Sequence, residues 1–376
     1  MKILRFSALG VASWLLAVGV AADDPTEPFT DDCSSIALNN RGQAILGGNL
    51  DWIEDVDGML YILKRGEVKT GLSAGTTGEV ARWTAKYASL AFSLTGYQHA
   101  WAGMNERGLV FSTMALQSTV NPPPDERPPL TMMWPQYMLD TCETVEDVIA
   151  SDAQVRAWTV DHFLFADRYG GVAVIEFLDG EMVAHTGPEL CTNALTNTTY
   201  SYACSMWESL RSTGEYSGFD TSIVRFCRAA DRLEDFDEGS TARAVDFAFE
   251  TLREMYPPGI RWHTQWSIVF DTINLRAYFK TQREPEVRWV DLEAFDLRCG
   301  SPVMMLGINE VESGNVTKAF SEYDSERNRD FREACYDQWG LVWNPAVENQ
   351  LLQHVESFPC TRVRRAGGRR AASSAP

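Results

Sequence analysis

Cys33-Ser34-Ser35-Ile36-Ala37-Leu38, the turn Asn39-Asn40-Arg41-Gly42, and then Gln43-Ala44-Ile45-Leu46-Gly47-Gly48-Asn49-Leu50-Asp51-Trp52 form the stretch on which the fold turns. Two short apolar runs, 34–38 and 43–46, flank a polar turn and predict a β-hairpin that starts next to a cysteine. A cut before residue 33 makes that cysteine the first residue of the mature chain. It then carries a thiol and a free α-amine together. The amine, with a pKa of roughly 7.7–8.0, can act as base toward its own thiol at roughly 8.5. The plainer alternative is a disulfide half near a secreted N-terminus.

Upstream, residues 1–22 read as a signal peptide. Lys2 and Arg5 give a positive start, Ala8 to Val20 is apolar, and Val20-Ala21-Ala22 offers small residues for cleavage. The apolar run is shorter than the roughly 18–20 residues that span a bilayer. A lipid-modified cysteine needs small apolar residues directly before it, whereas Thr30-Asp31-Asp32 precede Cys33. Residues 23–32 (DDPTEPFTDD) read as a short removable propeptide. The expected location is secreted or periplasmic, without a stable membrane anchor.

The chain has 376 residues, 45% of them hydrophobic, enough for a large core in one or two domains. Its net charge of −19 disfavours nucleic acid as a partner, because phosphates would be repelled. The basic cluster Arg362, Arg364, Arg365, Arg369 and Arg370 lies among Gly, Ala and Ser, and residues 361–376 read as a disordered tail. Of the eight cysteines, seven remain once Cys33 is set aside, so at least one more stays unpaired. Proximity alone suggests Cys191 with Cys204 and Cys335 with Cys360. No C-x-x-C or H-E-x-x-H spacing occurs, and neither a metal nor a cofactor is expected.

Farther along, strands are expected at 88–94, 108–116, 162–166, 172–177, 181–185, 266–270 and 273–279. Residues 122–129 hold five prolines and predict an extended loop. Helical spacing covers 131–140, 223–233 and 242–255, and Thr144 with Asp147 resembles a capping box. Strands in antiparallel groups with helices between the groups give an α+β chain and disfavour βαβ alternation. Beyond about residue 306 the pattern weakens and assigns no element. Gly71-Leu72-Ser73-Ala74-Gly75 fits G-x-S-x-G, but its polar, glycine-rich flanks lack the buried strand and following helix of a serine nucleophile elbow.

The motifs Cys33-Ser34-Ser35-Ile36, Gly48-Asn49-Leu50-Asp51-Trp52, Gly103-Met104-Asn105-Glu106-Arg107-Gly108-Leu109 and Leu195-Thr196-Asn197 occur in one order. With 134–140, 144–149, 175–180, Arg225-Phe226 and 264–269, they resemble the choloylglycine hydrolase family over roughly residues 33–280. This is a family of linear amide C–N hydrolases among the N-terminal nucleophile hydrolases. It includes bile salt hydrolases and penicillin V acylases.

The resemblance implies a four-layer αββα sandwich, two antiparallel sheets between helical layers, as an amidohydrolase domain over 33–360. It implies Cys33 as nucleophile, with its own α-amine as base and Asp51 orienting that amine. Asn197 would give its side-chain amide to the oxyanion, with the Asn105 backbone as second donor. The plainer roles are a capping aspartate for Asp51 and, for Asn197-Thr198-Thr199, a glycosylation sequon. Arg225 would lie near the thiol and lower its pKa; a plain salt bridge is its alternative. The implied partner is a small-molecule N-acyl amide, and relatives are often tetramers. Bile salt hydrolases carry arginine where this chain has Gly48, which weakens the case for acidic bile conjugates. Acyl transfer to another amine, or a non-catalytic binding protein with Cys33 in a disulfide, stays open at this point.

Overall fold

The computed structural model describes residues 33–40, 43–52, 55–72, 80–256, 263–338 and 344–361. The leader, the propeptide, residues 362–376 and Ser73-Ala74-Gly75 lie outside the described residues.

The opening hairpin forms as the sequence predicts. Strand Ser34–Asn40 pairs antiparallel with Gln43–Trp52, in a register that sets Ser34 opposite Asn49 and Asn40 opposite Gln43. It takes the second and third places of a seven-stranded sheet, ordered Ala194–Leu195, Ser34–Asn40, Gln43–Trp52, His263–Asp271, Arg276–Thr281, Arg288–Asp291 and Gly314–Asn315. Only the last pairing is parallel.

The second sheet has nine strands, all paired antiparallel. Their order is Glu181–Thr186, Val172–Leu178, Asp161–Ala166, Val110–Ala115, Ala102–Asn105, Ser89–Ser93, Met59–Leu63, Met304–Gly307 and Ser321–Glu322. Alternation along each strand decides what faces what. Leu60, Ile62, Leu164 and Ala166 join the core shared with the first sheet, whereas Tyr61, Leu63, Phe163 and Phe165 join a second core. Both faces are buried, which explains the unbroken apolar run Met59-Leu60-Tyr61-Ile62-Leu63.

Helices cover the outer faces. Thr221–Glu234 and Thr241–Glu254 lie on the first sheet, capped by Asp220 and Ser240, whose side chains accept from Ser222 N and Arg243 N. Leu252 seats directly over Gly47, where an added Cβ would meet it at 3.1 Å. Trp134–Thr141 and Val145–Ala150 cover the second sheet, and the Thr144/Asp147 capping box is complete. The result is the αββα sandwich that the resemblance implies.

Two expectations change. Cys191 pairs with Cys204 as expected, but Cys360 pairs with Cys299, not Cys335. Bridges between Arg65 and Arg298 and between Glu67 and Cys360 bring the two distant segments together, while the Cys335 thiol turns inward onto Leu94 O, 3.1 Å away. Two helices, Ser325–Gln338 and Pro345–Glu356, also occupy the stretch beyond residue 306 that the sequence pattern leaves unassigned. After Gly71-Leu72 the next described element is a strand, Arg82–Thr84.

Candidate active site

The hairpin register carries Cys33 to the end of the hairpin, beside Leu50 and Asp51. Its buried sulfur lies 4.0 Å from the Asp51 carbonyl oxygen. Asp51 is also buried, and Thr264 Oγ1 donates a short hydrogen bond to its Oδ1. Thr264 stands opposite Asp51 on strand His263–Asp271, just before a register shift at Gln265. The Asp51 carboxylate is thus held from the neighbouring strand by Thr264.

Arg225 comes from the buried face of helix Thr221–Glu234. Its Nη1 donates to Cys33 O at 2.5 Å and to Ser34 Oγ at 2.6 Å, and its Nη2 donates to Asn197 Oδ1 at 3.1 Å. The guanidinium thus reaches Cys33 through its carbonyl oxygen. One planar fork fixes the ends of two segments that are 164 positions apart in sequence, Cys33 and Asn197. Asn197 follows the short strand Ala194–Leu195, which pairs with Ser35 and Ile36. With its oxygen held by Arg225, its Nδ2 donates to Ala115 O at 3.1 Å. A primary amide has two N–H groups, so this contact uses one.

Asn105 is not part of this group. Its backbone N–H donates to Leu109 O at 2.9 Å, and its Oδ1 accepts from Arg107 N and Leu109 N. Its Nδ2 donates to Leu139 O and Cys142 O at the end of helix Trp134–Thr141. Met104 points between the sheets, so its neighbour Asn105 points to the helical layer and stabilises a turn that needs Gly108 at φ +82°. The motif was legible, but its asparagine serves the turn; strand Val110–Ala115, farther on, is the one that meets Asn197.

Gly48 faces Ser112 on the opposing sheet. An added Cβ would collide with Ser112 Oγ and stand 3.2 Å from Ser35 Oγ, so a larger side chain here requires Ser112 to shift. Sequence reading missed Ser34, Thr264, Ala115 and Ser112; only Ser34 and Thr264 lay inside a quoted motif. Among the described residues no group of His, Cys, Asp or Glu is arranged to hold a metal, and no helix is long and apolar enough to cross a membrane.

A family model described as acyl-coenzyme A:6-aminopenicillanic acid acyl-transferase matches residues 38–279, well over half of the chain. The chain belongs to this family. Its relatives include penicillin V acylase from Pectobacterium atrosepticum, 25% identical over 331 residues that cover 75% of this chain and 87% of that protein. The solved penicillin V acylase from Agrobacterium tumefaciens superposes with a TM-score of 0.69 at 25% identity, covering 78% of this chain and 98% of that one. A variant of conjugated bile acid hydrolase from Clostridium perfringens shares the fold, with a TM-score of 0.60 at 15% identity, covering 75% and 98% of the two chains. The family's fold is therefore the N-terminal nucleophile hydrolase sandwich, as the motifs implied.

Proposed function

We propose that the protein is an exported cysteine amidohydrolase, a hydrolase of linear, non-peptide C–N bonds, whose mature chain begins at Cys33. Family membership and the penicillin V acylase relatives support the reaction class. The observation that carries the nucleophile is the convergence on Cys33 of Asp51, Arg225 and Asn197, from a strand, a helix and a loop.

After removal of residues 1–32, the Cys33 α-amine takes the thiol proton, and the sulfur adds to the substrate carbonyl. The developing oxyanion takes the second N–H of Asn197, a donor already fixed by Arg225 and Ala115. A preorganised donor of this kind is worth roughly 3–4 kcal/mol in the transition state. The α-ammonium, held in place by Asp51, then protonates the departing amine. Water attacks the thioester, the amine accepts its proton, and the acid leaves with the thiolate restored.

Uncharged Gly48, packed against Ser112, leaves no cation at this place on the hairpin to attract a bile-acid conjugate. Penicillin V, the substrate in the names of the relatives, is the first to assay, with a conjugated bile acid, an acyl-homoserine lactone and a fatty amide beside it. A processed chain that hydrolyses one of these, with Cys33→Ala inactive, supports the proposal; equal turnover by Cys33→Ala sinks it. The acyl-transferase description of the family favours one second reading, transfer of the thioester acyl group to an amine. Adding a free amine and looking for a new amide beside the acid separates the two.

A further inference from the structure

Helix Tyr200–Leu210 begins three residues after Asn197 and has no cap of its own: the Thr199 side chain makes no capping hydrogen bond. The cap comes from another layer. Glu176, fully buried on strand Val172–Leu178, accepts the Tyr200 backbone N–H at 3.0 Å on Oε1. A carboxylate at a helix N-terminus satisfies an orphan donor and opposes the helix dipole.

The same oxygen lies 3.1 Å from His162 Nδ1, and Oε2 lies 3.3 Å from His185 Nε2, close but off the line of a hydrogen bond. His162 stands opposite Met114 on strand Val110–Ala115, one position from Ala115, whose carbonyl holds the Asn197 amide. Glu176 therefore joins both supports of Asn197, the helix that follows it and the strand that it leans on. The other titratable group facing the cluster is Tyr200, whose ring is 4.9 Å from that of His185 and whose hydroxyl donates to Thr192 O. Burial pushes that phenol up to about 12, so it is neutral here.

We propose that Glu176, with His162 and His185, is a positioning group for catalysis: it fixes the Asn197 segment so that the amide meets the oxyanion. This rests on the reading of Asn197 as oxyanion donor. None of the three touches substrate; they act through the loop.

The test uses the processed enzyme and Glu176→Gln, which keeps an acceptor for Tyr200 but removes the charge. Its kcat on penicillin V, per active site titrated by thiol alkylation, is expected to fall roughly ten- to a hundredfold, with KM changed less than about threefold. Its crystal structure is expected to have Asn197 turned away from Ala115 O and Arg225. Should Glu176→Gln not fold, His185→Gln at the half-buried rim takes its place, with an expected fall of roughly threefold. Unchanged kcat per titrated site, or Asn197 unmoved, overturns the proposal. The crystal readout needs no substrate, so an enzyme inert toward penicillin V contradicts the functional reading while the Asn197 position still decides this one.

Discussion

Arg225 joins three acceptors from two distant segments: Cys33 O, Ser34 Oγ and Asn197 Oδ1. An ammonium on a flexible stem cannot reproduce that planar fork. Arg225→Lys is therefore expected to fold but to lose roughly ten- to a hundredfold in kcat, because Asn197 loses its anchor. Steady-state kinetics beside a thermal melt check this, and wild-type kcat in the variant would contradict it. Asp51→Asn keeps an acceptor for Thr264 but loses the charge that the proposed mechanism sets against the Cys33 amine. The expected fall in kcat is roughly a hundredfold or more, with the melting temperature little changed. A kcat within threefold of wild type would remove Asp51 from the mechanism. At this scale, residue type and motif order marked Cys33, Asp51, Asn197 and Arg225 for one site. They did not reveal that Arg225 grips a carbonyl, since that depends on where a distant helix lands.

The contact between helix Trp134–Thr141 and the second sheet hinges on Gly103. An added Cβ there would meet Leu139 Cδ1 at 2.7 Å and Leu90 O at 2.8 Å, and the backbone oxygen cannot yield. Gly103→Ala is expected to destabilise by about 1–3 kcal/mol through overpacking. Urea unfolding should give a lower midpoint with an unchanged slope; an unchanged midpoint would mean the layers have slack. Elements were legible where period and burial agree. The 162–185 meander and the amphipathic helices at 221–234 and 241–254 follow from alternation and i, i+3, i+4 spacing. Helix Ser325–Gln338 was not legible because it buries Asn328, Arg332, Cys335 and Tyr336, so an apolar stripe never appears. Its inward face is held by polar bonds such as Arg332 Nε to Glu348 Oε2 at 3.0 Å. Asn105 misled for a related reason: its motif marks a turn, and strand alternation turns it away from the thiol.

Across the molecule, the two C-terminal helices bind the second sheet through one buried polar network in which His99 Nδ1 lies 3.4 Å from Arg332 Nη1. Burial first, and the Arg332 guanidinium second, hold the His99 pKa down at about 3. A folded value below the ordinary ~6.5 means that the unfolded chain binds the extra proton. The contribution of His99 is thus complete above about pH 6.5 and is lost as pH falls toward 3, with a slope approaching ~1.4 kcal/mol per pH unit. Stability measured by urea unfolding from pH 7 to 4 should fall less steeply in His99→Gln, which retains an acceptor for Arg332; equal slopes would contradict the assignment. The proposed mechanism requires that the working chain begin at Cys33. N-terminal sequencing and intact mass of the active enzyme test this most directly. The predicted result is a first residue of Cys33 with a free amine, and active enzyme that still carries Asp31-Asp32 ahead of it would contradict the mechanism.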